Sequence, residues 1–132
     1  MPGPTPRLTD DQVALLHEKV LAHVATVSPD GSPQVTPVWV DTDGEAVIFN
    51  TAKGRIKHRN LVRDPRVAIS VADPHDLYRI VVMKGRAEMI DEGAVEHISR
   101  LSRKYTGADY NLPPGQERVI VRVVPRSIHR SG

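Results

Sequence analysis

The residues with the clearest chemical content lie in one stretch, Phe49-Asn50-Thr51-Ala52-Lys53-Gly54-Arg55-Ile56-Lys57-His58-Arg59-Asn60. A β-rich run ends at Thr51, Gly54 loosens the backbone, and Lys53, Arg55, Lys57 and Arg59 surround the start of a helical pattern. A helix start presents backbone N–H groups without partners, the threonine hydroxyl adds a directional donor, and Lys and Arg add charge. Together these are the parts of a phosphate cradle. They are equally the parts of a solvated basic helix start, and charge alone does not separate the two. Neither GxxxxGK[ST] nor GxGxxG occurs, so the standard nucleotide loops are not the explanation.

Other chemistries are excluded or unsupported. The chain has no cysteine, which removes disulfides, thiolate metal sites and thiol catalysis. His17, His23, His58, His75, His97 and His129 are scattered, with no HExxH and no paired spacing, so no metal site is expected. No GxSxG elbow is present and no carboxylate pair stands out as acid and base. Asp41, Asp43, Asp73 and Asp76 fall in turns, where Asp is expected for backbone reasons. No catalytic side chain is therefore assigned. An enzyme with this inventory would rely on a cofactor for its reactive atom.

Net charge is +2 although the pI is about 9.2, so any basicity that matters is local. With five aromatic residues and so small a surplus of charge, a nucleic-acid surface is not expected. No secretory h-region and no membrane-length apolar run occur, and the chain reads as soluble and cytoplasmic.

The elements that must position the basic segment can be read in outline. A length of 132 residues suits one domain, 8–132, behind a leader, 1–7, whose three prolines and one glycine suit disorder. Thr9 and Gln12 make a capping box that predicts a helix from about Thr9 to Lys19. Leu21–Val27, Gln34–Val40 and Ala46–Asn50 are short β-branched runs between turn signals, and read as a three-stranded antiparallel meander. Pro37 belongs at an edge or bulge because it cannot donate to a ladder.

A short helix follows Thr51 and is limited by Pro65. Arg66–Val71 and Tyr78–Ile90 are strands, the second bending at Gly85. Asp91 to Tyr105 is a helix and Arg118–Val124 a last strand. The sum is a mainly β (α+β) chain, a six-stranded antiparallel barrel with a few peripheral helices.

The segment FNTAKGRIKHRNLVRDPRVAISV, with LLHEKVLAHVATVSPDGSPQVTPVWV before it and VVMKGRAEMI and ERVIVRVVP after it, resembles the pyridoxamine 5'-phosphate oxidase-like superfamily of split β-barrels. More narrowly it is similar to the actinobacterial F420-dependent branch. The resemblance spans almost the whole chain. It implies a homodimer holding a flavin-type cofactor, F420 or alternatively FMN, and a hydride transfer to a small organic substrate. A non-catalytic carrier or sensor on the same fold is the reading from another class.

It also implies roles. Thr36, Pro37, Val38 and Trp39 would lie against the ring system, largely through backbone groups, although Trp39 also suits plain barrel packing. Asn50, Thr51, Lys53, Arg55 and Lys57 would face the phosphate, and Asn60 would help fix the helix. Lys53 and Arg59 would suit the anionic glutamyl tail of F420. Tyr78 and Arg79 would reach across the dimer to cofactor or substrate, or serve as ordinary strand-start residues. The longer arginine-bearing C-terminal segment of true pyridoxamine phosphate oxidases is not matched, so the vitamin B6 oxidase reaction is not expected.

Overall fold

In the computed structural model, residues 6–129 are described. The expected leader therefore lies mostly outside the described residues. Thr9 caps helix α1 (Asp10–His17): Gln12 N donates to Thr9 Oγ1 at 3.1 Å and Thr9 N to Gln12 Oε1 at 2.9 Å. Leu15 and Leu16 of α1 are fully buried against the sheet.

Strands β1 (Leu21–Val27), β2 (Pro33–Trp39), β3 (Asp41–Thr42), β4 (Val47–Ala52), β5 (Arg66–Asp73), β6 (Asp76–Ile90) and β7 (Arg118–His129) form one antiparallel sheet in the order β2-β1-β5-β6-β7-β4-β3. The sheet curls until β2 and β4 touch without a ladder between them, which gives a split β-barrel. Its inner face carries the alternate residues Ala22 and Val24, Val67, Ile69 and Val71, Val81 and Met83, Val121 and Val123, with Phe49 among the largest buried side chains. Helix α2 (Ile56–Arg63) packs against β1 and β4, and helix α3 (Ala94–Thr106) against β7 and β4.

Four expectations change. The barrel has seven strands rather than six, because Asp41 and Thr42, read as part of a turn, pair with Ile48 and Val47. The meander of three strands does not form. Of the three expected strands only β1 and β2 pair with each other, while β4 pairs along its whole length with β7. The cause is a corner after β2. Val40 N donates to the Tyr105 hydroxyl instead of to a strand, and Asp43 Oδ1 accepts from Glu45 N and Ala46 N, turning the chain away from β2. The last strand runs on to His129, since the far half of β6 offers it a partner from Val82 to Lys84. Helix α3 starts later than Asp91, because Gly93 precedes it in a left-handed conformation (φ 78°) that cannot be a helical turn.

Other expectations hold. Pro37 sits on β2, a terminal strand of the sheet. The bend in β6 is a register shift between Lys84 and Gly85.

Candidate functional site

Three regions meet around a cavity of about 470 Å³: the end of β2, the β4–α2 turn, and the covered face of α3 with the start of β7. Its walls are Leu21, Pro37, Val38, Trp39, Ile98 and Leu101, and its polar residues are Asn50, Arg55, Lys57, Tyr110 and Arg118. Trp39 stacks on Tyr105 at 5.4 Å between ring centroids, with the planes 7° apart, so its ring is held while it lines the cavity. Tyr105 is fixed in turn by Val40 N, which donates to its hydroxyl at 3.1 Å, and by the bond its hydroxyl donates to Val20 O.

Helix α2 begins where β4 ends. Arg55 occupies the N-cap with extended backbone and makes no side-chain cap, which leaves the first-turn N–H groups without a side-chain partner there. Its guanidinium and the Lys57 ammonium have no acidic partner among the described residues. Burial lowers the pKa of Lys57, and the neighbouring Arg55 and Arg118 lower it further. Three cations at one end of the cavity thus repel each other without a carboxylate between them. Such an arrangement favours an anion.

On the inner side, Arg118 is 7% exposed. Its Nε donates to Asn50 Oδ1 at 2.8 Å, and the Tyr110 ring centroid lies 5.0 Å from its guanidinium carbon. A guanidinium can only donate, so Asn50 must turn its oxygen toward Arg118 and its amide NH₂ toward Ala94 O (2.9 Å) and His97 Nδ1 (3.1 Å). His97 Nδ1 is therefore the acceptor, and the proton of the neutral ring is on Nε2, which is buried without a partner among the described residues. Burial, reinforced by Arg100, brings the His97 pKa down to about 4, consistent with a neutral ring.

The structure brings Pro37, Val38, Trp39, Asn50, Arg55 and Lys57 to this cavity. It does not bring the other expected residues. Thr36 Oγ1 and Thr51 Oγ1 are occluded without partners among the described residues, and neither residue lines the cavity. Lys53 pairs with Asp91 at 2.9 Å and Glu117 at 3.8 Å, and the bond to Asp91 raises its pKa. Asn60 is buried and donates to Thr26 Oγ1 at 3.0 Å, tying α2 to β1. Arg79 joins Asp11, Glu18 and Asp73, binding α1 to the β5–β6 hairpin, and Tyr78 is 97% exposed at that hairpin. Neither lines the cavity of its own chain.

Arg118 and Tyr110 were not legible as site residues. Arg118 alternates with Ile120 and Arg122 on one face of β7, and only the covering by α3 distinguishes it from Arg122, which pairs with Asp43 and Glu88. A second cavity of about 520 Å³ lies on β1, β5 and β6, rimmed by Arg66, Lys84, Arg86 and Arg126, and contains none of the expected residues. Among the described residues no cluster of His, Asp or Glu could hold a metal, and no helix is long and apolar enough to cross a membrane.

A family model for pyridoxamine 5'-phosphate oxidase matches residues 8–131. The chain belongs to that family. Among solved structures it is similar to an F420 reductase, at 32% identity and a TM-score of 0.82, over 94% of this chain and 100% of the other. It is similar to a conserved hypothetical protein from Mycobacterium tuberculosis at 26% identity and a TM-score of 0.71, over 97% and 87%. HupZ of Group A Streptococcus shares the fold at 21% identity and a TM-score of 0.68, over 92% and 91%. The family includes oxidoreductases and flavin binders, and the split barrel described above is this chain's version of its fold.

Proposed function

We propose that this chain is an F420-dependent oxidoreductase, transferring a hydride between the deazaflavin and a small organic acceptor, and that it works as a homodimer in the cytoplasm. One observation carries the reading. Arg55 and Lys57, cations without acidic partners, stand at one end of a cavity whose walls are apolar and partly aromatic. That donor set fits a molecule with a flat apolar ring and an anionic tail, and 470 Å³ is within the usual range for a ligand pocket, roughly 300–1,000 Å³. The likeness to an F420 reductase at 32% identity supports the deazaflavin.

Arg55 and Lys57 would hold the phosphate, while Pro37, Val38 and Trp39 would wall the ring. When bound, the deazaflavin supplies or accepts the hydride at ring carbon 5. The chain's own contribution is to position and to exclude water: Trp39 is clamped by Tyr105 and packs with Ile98 and Leu101 in one apolar cluster that lines the cavity. Tyr78, exposed and engaged in no side-chain bond among the described residues, would approach the partner subunit's cavity.

FMN is the second reading, and the Lys53 ion pairs favour it. Lys53 was expected to serve the glutamyl tail of F420, but its charge is already met by Asp91 and Glu117. To test turnover, protein loaded with reduced F420 is mixed with a panel of enones and quinones and oxidation is followed by absorbance. Acceptor-dependent oxidation is expected. Its absence across the panel would favour a carrier or sensor.

A further inference from the structure

Arg118 is a buried residue, 7% exposed, and its guanidinium meets no carboxylate among the described residues. Its placement is built from three sides. Asn50 Oδ1 accepts from Nε at 2.8 Å, Gln116 Oε1 from Nη1 at 3.3 Å, and the Tyr110 hydroxyl from Nη1 at 3.5 Å. The Nη2 donors have no partner among the described residues, yet Nη2 is not one of the fully occluded unpartnered atoms there, which are Thr36 Oγ1, Thr51 Oγ1 and His97 Nε2. Arg118 lines the cavity, so the free edge of its guanidinium opens there.

A buried cation held by neutral acceptors alone is costly unless a counter-charge arrives. The fold places Arg118 where that charge would come from. It pairs with Ala52 across the β4–β7 ladder, and Lys53 N donates to Glu117 O at 2.8 Å, so it stands beside the turn that carries Arg55 and Lys57.

We propose that Arg118 is a specificity-determining residue of this cavity, donating from Nη2 to the phosphate-type oxyanion of the ligand, while Asn50 and Gln116 hold the guanidinium in position. This rests on reading the cavity as a cofactor site, and extends it by a third, buried member of the anion-binding group. Asn50 is then a positioning residue that links the anion to His97 and α3.

The test is calorimetric titration of the full chain, as wild type, R118Q and R118K, with FMN, with riboflavin and with inorganic pyrophosphate. F420 and the same deazaflavin without its phosphate tail replace the flavin pair if wild type prefers them. R118Q is expected to lose about tenfold or more in affinity for the phosphorylated cofactor and for pyrophosphate, with the phosphate-free ring changed by less than about twofold. R118K, which keeps the charge but not the planar fork, is expected to fall between them, and it carries the comparison if circular dichroism shows R118Q to be unfolded.

Equal losses for the phosphorylated and phosphate-free rings would overturn the proposal, as would unchanged affinity for the phosphorylated cofactor and pyrophosphate. If wild type binds pyrophosphate through Arg118 but binds neither ring system, the cofactor reading fails and this one stands. If wild type binds no pyrophosphate, the Arg118 assignment itself fails.

Discussion

Between α3 and β4, His97 is kept neutral by burial, reinforced by the nearby Arg100 charge, while Asn50 holds its ring through Nδ1; it is 3% exposed. Its pKa of about 4 in the folded chain lies below the ordinary 6.5, so the unfolded chain binds the proton first as pH falls. Stability is therefore fully present above pH 6.5 and is lost as pH falls from there toward 4, by up to roughly 3 kcal/mol. His97→Gln should flatten that part of the curve, as read by urea unfolding at pH 7.5 and 4.5. The basic segment divides at the same scale. Arg55→Ala and Lys57→Ala should each weaken cofactor binding by about 1–3 kcal/mol, whereas Lys53→Ala should leave it within roughly twofold, because Lys53 is already paired. Titration of the three variants checks this. Sequence placed all three residues correctly at the strand–helix junction, but Asp91, which engages Lys53, lies far along the chain and gives no local signal. Asn50 shows the same limit, since its donor Arg118 is on another strand.

Among the elements, those written in local chemistry were legible. The Thr9–Gln12 capping box, the β1–β2 hairpin and the short α2 follow from neighbours within a few residues. The pairing of β4 with β7 was not legible, because a corner at Val40 and the turn at Asp43 redirect the chain, and the partner strand lies beyond two helices. The bend in β6 was legible because glycine marks it. The structure adds the reason: a Cβ at Gly85 would lie 2.4 Å from Val124 O, so the two backbones approach too closely for any side chain. Gly85→Ala should destabilise the chain by about 1–3 kcal/mol through a forced shift of the β6–β7 ladder, measurable as a lower urea midpoint with an unchanged slope.

At the scale of the whole molecule, the split barrel leaves an outer sheet face with Leu21, Val35 and the small residues Ala25 and Ala68 outward, while Tyr78 projects from the β5–β6 hairpin. A second copy covering that face would bury it, as the homodimer reading requires. Sedimentation at micromolar concentration is expected to give twice the chain mass, and Val35→Asp to shift it toward the monomer. A wild-type monomer would count against the dimer and against the approach of Tyr78 to a partner's cavity. The cavity itself carries the central claim, that uncompensated cations beside an apolar wall hold a phosphorylated flavin-type cofactor. Fluorescence titration of the purified wild-type chain with F420 and with FMN tests it most directly. Saturable binding of F420 at micromolar concentration, tighter than that of FMN, is the predicted result; no binding of either cofactor in that range would contradict it.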